Sequence, residues 1–438
     1  MHRRTVVPTA LALAVLAACS STEPTAPLTR KVVPTRPLFA AAPTQTDADA
    51  ISANIRALHM PYGTLADPGF ASSDPTSADY STVVSYNRTG DGAIWTGHYL
   101  AAESYRYAVT QSADALDAVR KALDGVQSLV DVTSPLDPDV LARSWVPQSS
   151  PYLGKISTDE GHNGMYASVY NGEPVYWIGA TSRDQYAGVF LGLAVTYDLV
   201  SDDAVRAQAA ALVGRLLDYL IAHEWSVQMP DGSYSTTFLG RPDQQLALLQ
   251  IGRHVNPAKY DVLYTAFATA NAAAVIAPIR AECSDTYGSY YKFNLDYATF
   301  FDLVRLEPAT SPYRTFYTTA YSQLRQCTAK HQNAHFNMID RALRGANGRR
   351  DTNTRNYLGL WLQRARRDYY TDVSSTYTAC GTNQACDIVA VNDRPNTDFL
   401  WQRSPQLLYG GGDGTIETAG IDYLLPYWMG RYYGVVTQ

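Results

Sequence analysis

The sequence predicts an all-α fold, a closed toroid of alternating inner and outer helices with long aromatic-rich loops. One observation is a set of amphipathic helices, such as those after Ser112 and Ser201, whose apolar residues recur at intervals of three and four. Another is a set of stretches with almost no charge on any face, and helices of that kind must be buried on all sides. The uncharged stretches are residues 94–102, 185–197, 244–251, 297–301 and 421–429.

The two kinds of helix alternate along most of the chain. The amphipathic series continues at about 257–282 and 312–333, whereas strand patterns are limited to short pieces at 225–227 and 233–238 inside loops. Such helices cannot each bury a face alone, so they must stack side by side, and closing the stack gives a double ring. We therefore expect the inner helices to begin around one common mouth.

This pattern resembles the (α/α)6 toroid of six-hairpin glycosidases and of several polysaccharide lyase families. The resemblance covers about residues 46–438 and concerns architecture, because no family signature is matched. It implies a carbohydrate-active enzyme with an oligo- or polysaccharide substrate. An open solenoid of tetratricopeptide type is the alternative, but its period of about 34 residues is missing. The long loops at 147–182 and 370–417 also argue against a solenoid.

The N-terminus carries the pattern of an export signal. A basic start is followed by an apolar run at 6–18, too short to span a bilayer. The tetrapeptide that ends at Cys19, Leu-Ala-Ala-Cys, resembles the bacterial lipobox, which implies cleavage before Cys19 and a lipid on its thiol. An ordinary signal peptide with an incidental cysteine is the alternative.

We expect a location in the bacterial cell envelope, with the chain anchored to the membrane by lipid and facing the periplasm or exterior. The expected segments are a signal peptide at 1–18, the lipidated cysteine and a tether at 19–45, and one helical domain at 46–438.

Charge and cysteine content exclude several classes of partner. The net charge is -6 at pH 7 and no basic patch is present, so we expect no nucleic-acid partner. Four cysteines follow Cys19, an even number that predicts two disulfides in an exported chain. No metal or cofactor is expected, because the segment CGTNQAC lacks further ligands. The predicted pairs are Cys380 with Cys386 across a short loop, and Cys283 with Cys327.

Two aspartates at the entrances of inner helices are the leading catalytic candidates. Asp91 and Asp184 each precede an uncharged helix, with Trp95 and His98 after the first and Tyr186 after the second. Glycoside hydrolysis needs two carboxyl groups beside the scissile bond, one protonated and one ionised. The layout is similar in outline to that of unsaturated glucuronyl hydrolases, in which two aspartates on separate inner helices hold the site. The sequence thus predicts a glycoside hydrolase. Helix capping is the alternative for any single carboxylate, because polar residues stand at other entrances too: Asp243, Asn294, Asn337 and Glu417.

The segment from Asp159 to Val200 supports a different reaction. It contains His162, Asn163 and Arg183, residue types with which a lyase removes a proton beside a uronate and neutralises the carboxylate. The alternative prediction is therefore a uronic-acid polysaccharide lyase with His162 or a tyrosine as base. A non-catalytic, glycan-binding surface lipoprotein is the third hypothesis. The abundance of tyrosine and tryptophan, with 32 and 7 copies, suits a sugar-binding cleft as well as a core. Further substrate-binding candidates are Trp177, Tyr291, Asn337, Trp401 and Arg403.

Two glycine patterns concern packing rather than chemistry. Gly188 and Gly192 form a small-xxx-small pair within an uncharged helix, which predicts a close approach to a neighbouring helix. The run from Gly410 to Gly414 lacks the Lys-Ser or Lys-Thr of a phosphate loop, so it is interpreted as a flexible crossing above the mouth.

Overall fold

The computed structural model describes residues 42–437, and most of that range is helical. The predicted signal peptide, the lipidation site Cys19 and all of the tether up to residue 41 lie outside the described residues. The helices are α1 (Gln45–Leu58), α2 (Gly92–Thr110), α3 (Ala113–Asp131), α4 (Leu153–Glu160), α5 (Arg183–Leu199), α6 (Asp203–Ala222), α7 (Pro242–Val255), α8 (Pro257–Asn271), α9 (Ile276–Glu282), α10 (Tyr291–Arg305), α11 (Arg314–Thr328), α12 (Ala334–Arg344), α13 (Gly348–Trp361) and α14 (Ile421–Tyr432).

The described range also contains eleven strands, which form four small sheets. The prediction of an all-α toroid is therefore wrong, and this part of the chain is a mixed α/β structure. The strands are β1 (Asp67–Phe70), β2 (Val83–Asn87), β3 (Ser144–Pro147), β4 (Met165–Tyr170), β5 (Glu173–Ile178), β6 (Ser226–Gln228), β7 (Tyr234–Thr237), β8 (Arg367–Asp372), β9 (Ala379–Gly381), β10 (Gln384–Ala385) and β11 (Tyr409–Glu417).

Sequence analysis missed the largest sheet because its longest strand is rich in glycine. The strand order is β2-β1-β11-β8, with antiparallel neighbours throughout. Glycine is depleted in strands, so the run in β11 predicts a loop. Gly411 and Gly414 have φ of 109° and 83°, in the left-handed region, and the register shifts between Gly412 and Asp413. These glycines thus form an irregular strand rather than a flexible crossing.

The helices lie in two layers that match the two sequence patterns. The predicted inner helices α2, α5, α7, α10 and α14 are buried. Helix α12, which sequence analysis did not select and which carries charged residues, lies between α10 and α14, so that each of the six contacts the next in this series. Helix α14 also contacts α2. The amphipathic helices pack on the outside, with α3 on α2, α6 on α5, α8 on α7 and α11 on α10. Capping side chains mark two outer starts, because Ser112 and Asp202 accept hydrogen bonds from the Ala115 and Val205 amides.

Helices α2 and α5 approach each other through glycine, as the small-xxx-small pair predicts. A Cβ atom on Gly97 would lie 2.1 Å from the carbonyl oxygen of Gly188. A Cβ on Gly192 would lie 2.4 Å from the carbonyl oxygen of Gly97. Only glycine fits at these positions without moving a backbone. The close contact places the N-termini of the two helices, with Asp91 and Asp184, side by side.

The two predicted disulfides are both present, Cys283 with Cys327 and Cys380 with Cys386. The first ties the end of α9 to α11, and the second closes the β9–β10 hairpin. Between the described residues 42 and 437, one stretch is long and apolar enough to cross a membrane, Pro257–Glu282. In the fold it is divided into α8, a 3-10 turn and α9, and Tyr260, Tyr264 and Ile279 face the core.

Candidate functional site

Asp91 lies at the junction of a 3-10 turn (Thr89–Asp91) and the first turn of α2. It makes no side-chain capping bond to the helix, so capping does not account for it. Its Oδ1 accepts a hydrogen bond from Gln185 Nε2 at 3.1 Å, and its Oδ2 accepts one from Gln402 Nε2 at 3.1 Å. The nearest cation is Arg143, whose Nη1 lies 3.6 Å from Oδ1. The side chain remains 27% exposed, so part of it is accessible to solvent.

Burial and neighbouring carboxylates raise the pKa of Asp91 from its usual value to about 7. Burial is the largest cause, followed by repulsion from Asp184 and Asp398, with a smaller contribution from Glu160. Arg143 opposes these effects but does not cancel them. The Asp91 carboxyl group is thus protonated in a large fraction of molecules near neutral pH, as a general acid must be.

Asp184 lies in the first turn of α5, where Ser182 is the N-cap residue, and it interacts electrostatically with Asp91. Its carboxylate is partly exposed and makes no hydrogen bond or ion pair with another residue between 42 and 437. Tyr291, at the start of α10, is 45% exposed. Burial raises the pKa of Tyr291, and Asp184, Glu282 and Asp91 raise it further while Arg183 opposes them. The two predicted carboxylates and Tyr291 therefore lie close enough to act on one another electrostatically.

Arg143 joins the entrances of α2 and α5. It donates hydrogen bonds to the carbonyl oxygens of Gly90 and Ala180, at 2.8 and 2.9 Å, and to the Ser182 hydroxyl at 3.0 Å. These bonds connect the turn before Asp91 with the loop before Asp184. Sequence analysis missed Arg143, because it stands in a loop more than forty residues from either aspartate and no motif surrounds it.

Glu160 is a second residue that sequence analysis did not select. It is 7% exposed and accepts a hydrogen bond from Asn163 Nδ2 at 2.8 Å. A Cβ atom on Gly90 would lie 2.3 Å from Glu160 Oε2, so glycine leaves the space that this carboxylate fills beside Asp91. Asn163 is a predicted binding residue, and here it positions Glu160. The density of polar residues in 159–163 could have drawn attention to Glu160. No sequence feature marks Gln402 or Asp398 as neighbours of Asp91.

Six of the predicted substrate-binding side chains are buried. Trp95, His98, Trp177, Tyr186, Asn337 and Trp401 are each at most 4% exposed. Trp177 contacts Tyr166, and Trp401 packs against His335 with ring centroids 4.5 Å apart. Rings enclosed in this way offer no face to a sugar. Sequence cannot distinguish a buried tryptophan from a binding platform, because both follow polar residues in loops.

His98 is neutral and part of the buried core. Its Nδ1 donates to the Ile94 carbonyl oxygen at 2.8 Å, and its Nε2 accepts from Asn294 Nδ2 at 3.1 Å. Burial lowers the pKa of His98 to about 4. Asn337 accepts a hydrogen bond from Arg325 at 2.9 Å and is likewise a structural residue.

The remaining candidates differ in position. His162 is exposed in the turn that follows α4, and Arg403 is exposed in the loop before β11. Arg183 lies beside Asp184 and donates a hydrogen bond to the Thr237 carbonyl oxygen at 3.2 Å. The hydrogen-bond and ion-pair partners of Asp91 within residues 42–437 are Gln185, Gln402 and Arg143, so the fold does not bring the predicted base His162 into contact with this carboxyl group.

The polar residues at two other helix entrances form structural ion pairs. Asp243 is fully buried against Arg241, with contacts of 3.1 and 2.9 Å. Glu417 lies 3.4 Å from Arg367, and its pKa is lowered to about 2 by a hydrogen bond from His59 and by Arg366, against the effect of burial. Among residues 42–437, no group of three or more His, Cys, Asp or Glu side chains is arranged to hold a metal ion.

Comparisons with known proteins identify no relative. No protein-family model matches the chain, and no significant match is found among curated proteins or among solved structures. The case for a function therefore depends on the geometry and electrostatics around Asp91 and Asp184.

Proposed function

We propose that this protein is a glycoside hydrolase that uses Asp91 as general acid and Asp184 as the second carboxylate. The observation that carries the proposal is the position of Asp91: it starts a helix without capping it, and two glutamines hold its oxygens. It also interacts with a second carboxylate, Asp184, that has no protein partner in residues 42–437, and its pKa is raised to about 7. A glycosidase needs this asymmetry, because one carboxyl group must donate a proton while the other acts as base or nucleophile.

The environment of each carboxyl group suits its proposed role. Gln185 and Gln402 donate to both oxygens of Asp91, which holds the group in place. When Asp91 gives its proton to the leaving oxygen, Arg143 stabilises the resulting carboxylate. Asp184 is free of protein partners within residues 42–437, so it can approach water or the anomeric carbon. Tyr291 is an exposed aromatic ring on which both aspartates act electrostatically, and it supplies a surface for a sugar.

The proposal includes export and a lipid anchor on Cys19, as the lipobox-like tetrapeptide implies. Fractionation of cells that express the wild type or Cys19→Ser checks this. The wild-type chain is expected with the membranes and the variant in the soluble fraction. Equal distribution of the two would remove the anchor from the proposal.

Activity is tested by incubating the full chain with a panel of neutral and acidic glycans. We expect reducing ends to appear without the ultraviolet absorbance of an unsaturated sugar. Asp91→Asn and Asp184→Asn should each lower kcat/KM by about 10²–10⁴-fold, because each removes a group that transfers a proton or stabilises charge. Asp203→Asn is the matched control, since Asp203 is an exposed acid in the first turn of α6 and should leave activity unchanged.

Three results would contradict the hydrolase. Unsaturated product would favour the lyase with His162 or Tyr291 as base. Binding of glycans without turnover would favour a non-catalytic surface protein. Full activity in Asp91→Asn would remove the assigned acid.

A further inference from the structure

The end of α12 and the start of α13 form a strongly basic segment in an acidic protein. Residues 341–355 contain five arginines and one acidic residue, Asp351, whereas the net charge of the whole chain is -6. Arg341 and Arg350 pair with Asp351, at 3.1 and 3.5 Å. The other three arginines are exposed, and we call them the basic patch: Arg344, Arg349 and Arg355.

The positive charge of the basic patch is only slightly compensated by the protein. Arg344 lies 3.5 Å from Asp340, a carboxylate that other arginines also contact. Arg355 donates a hydrogen bond to an uncharged group, the Val435 carbonyl oxygen, at 3.1 Å. Within residues 42–437, no carboxylate lies within ion-pair distance of Arg349 or Arg355. The basic patch therefore presents net positive charge to solvent.

The basic patch lies at the end of the buried helix layer that is opposite to the proposed catalytic pair. Tyr105 lies on α2 about 21 Å beyond Asp91, at a rise of about 1.5 Å per residue. Its hydroxyl group is 3.1 Å from that of Tyr433, which follows the end of α14. Arg341, in the last turn of α12, donates a hydrogen bond to the Tyr433 carbonyl oxygen at 3.1 Å. These contacts place the ends of α12 and α14 together, far from Asp91 and from Asp184 beside it.

The described chain begins at the same end of the molecule. Gln45 is the first residue of α1, and its Oε1 accepts a hydrogen bond from Arg431 Nη1 at 3.3 Å. Arg431 lies in the last turn of α14, the helix end that Arg341 also approaches. The segment that follows Cys19 joins the described residues at position 42, so a lipid on Cys19 tethers the molecule by the end that carries the basic patch.

Acidic residues at this end belong to other helices and are mostly paired. Ion pairs join Asp114 to Arg106, Asp117 to Lys121 and Asp202 to Arg120. These carboxylates lie at the starts of α3 and α6, on elements separate from α12 and α13. The positive charge is thus confined to one sector of the end, around α12, α13 and the end of α14.

A phospholipid surface has the chemistry that this sector lacks. Guanidinium groups form paired hydrogen bonds with phosphate oxygens. Basic residues next to a membrane are attracted by its anionic lipids, each strengthening binding by about fivefold. Tyr432, at the end of α14, is 45% exposed, and tyrosine is enriched at the level of the lipid headgroups.

We propose that the basic patch docks on the anionic phospholipid surface of the membrane that holds the lipid anchor. In this orientation Asp91 and Asp184 face away from the membrane, towards the space from which a glycan arrives. The inference rests on the lipid anchor in the proposed function, and it does not depend on the reaction assigned to the two aspartates.

Vesicle binding tests the patch without the lipid. The full chain with Cys19→Ser is mixed with vesicles of phosphatidylcholine alone, or of phosphatidylcholine and phosphatidylglycerol in equal amounts, and the vesicles are sedimented. We expect stronger binding to the anionic vesicles, and loss of this difference at high salt, because salt screens exposed charges. Changing all three arginines of the basic patch to glutamine should weaken binding about 100-fold. Arg349→Glu alone changes a side chain without an ion-pair partner, so it should fold and still weaken binding by about tenfold or more.

The matched control changes the net charge by the same amount on other elements. It combines Lys121→Gln, Arg280→Gln and Lys330→Gln, all at exposed positions, and should bind as the parent does. Amide hydrogen exchange measures the orientation. Anionic vesicles should slow exchange in residues 344–356 and leave residues 159–184 unchanged.

Several outcomes would overturn the docking surface. These are equal binding to both kinds of vesicle, a loss that the control shares, and slowed exchange at 159–184 instead of 344–356. Binding to heparin, a soluble polyanion, without binding to anionic vesicles would also overturn it and assign the patch to a soluble partner. A wild-type chain found in the soluble fraction, whose Cys19→Ser variant still binds anionic vesicles through the patch, would support the docking surface and contradict the anchor.

Discussion

At the residue scale, Asp91 shows how a carboxyl group is kept protonated near neutral pH. Helix N-termini favour negative charge, and Arg143 lies 3.6 Å away, so both would lower its pKa. Burial and the carboxylates of Asp184, Asp398 and Glu160 outweigh them and bring the pKa to about 7. The folded surroundings of Asp91, and not its position before a helix, therefore decide how readily it keeps its proton.

Glu160→Gln tests this electrostatic account. Asp91 is proposed to act in its protonated form, so activity should fall as pH rises through about 7. The glutamine keeps the shape that fits against Gly90 but removes one repelling charge, so the pKa of Asp91 should decrease. We expect the alkaline limb of the kcat/KM profile to move down by about half a pH unit to one unit.

The control is Asp159→Asn, which removes a neighbouring carboxylate that pairs with Lys155 instead. Its alkaline limb should coincide with that of the wild type. A limb that stays in place in Glu160→Gln would show that Glu160 does not act on the proton donor.

At the scale of elements, α2 and α5 carry the two carboxyl groups, and glycine sets their separation. The periodicity of apolar residues predicts both helices, and the pair Gly188 and Gly192 predicts their close approach. Sequence did not identify Gly97 as the partner, because nothing local distinguishes a glycine that meets a backbone 90 residues away. The alternating pieces at 225–227 and 233–238 correspond to β6 and β7. The other strands were missed for a related reason, since most are short and β11 is rich in glycine.

Gly192→Ala should disrupt this contact. Its Cβ would lie 2.4 Å from the Gly97 carbonyl oxygen, so the helices must separate. Overpacking of this kind costs about 1–3 kcal/mol, and the shift should also lower kcat by moving Asp184 relative to Asp91. Urea unfolding and kinetics measure the two effects. Gly154→Ala in α4 is the control, because nothing lies within 4 Å of its added methyl group; a similar loss in both variants would contradict the packing argument.

At the scale of the whole molecule, buried histidines that are neutral in the folded protein make its stability sensitive to acid. Burial lowers the pKa of His98 and of His331 to about 4, from the ordinary value of 6.5. Between these two pH values the unfolded chain binds more protons than the folded one. The free energy of unfolding therefore decreases as pH falls from 6.5 towards 4.

His98→Gln should reduce this sensitivity to acid. For His98 alone, linkage predicts a loss of about 2 kcal/mol between pH 7 and pH 5, which the variant cannot show. Urea unfolding at both pH values measures it, with the exposed His162→Gln as control. An unchanged difference between pH 7 and pH 5 in His98→Gln would mean that His98 is already charged in the folded protein.

The sequence alone predicted the inner helices α2, α5, α7, α10 and α14, the amphipathic helices packed on them and the cysteine pairing, because these follow from local periodicity and cysteine number. It also selected Asp91 and Asp184 from their places at helix starts, and their catalytic roles are a proposal. Only the tertiary structure decided the mixed α/β class, since irregular strands acquire their stability from partners distant in sequence. It also separated the exposed Tyr291 from the buried Trp95, Trp177 and Trp401, which have similar sequence surroundings. The pKa of Asp91 was beyond the sequence for the same reason: Arg143, Glu160 and Asp398 meet it only in the folded chain, and their distances set the balance of charge.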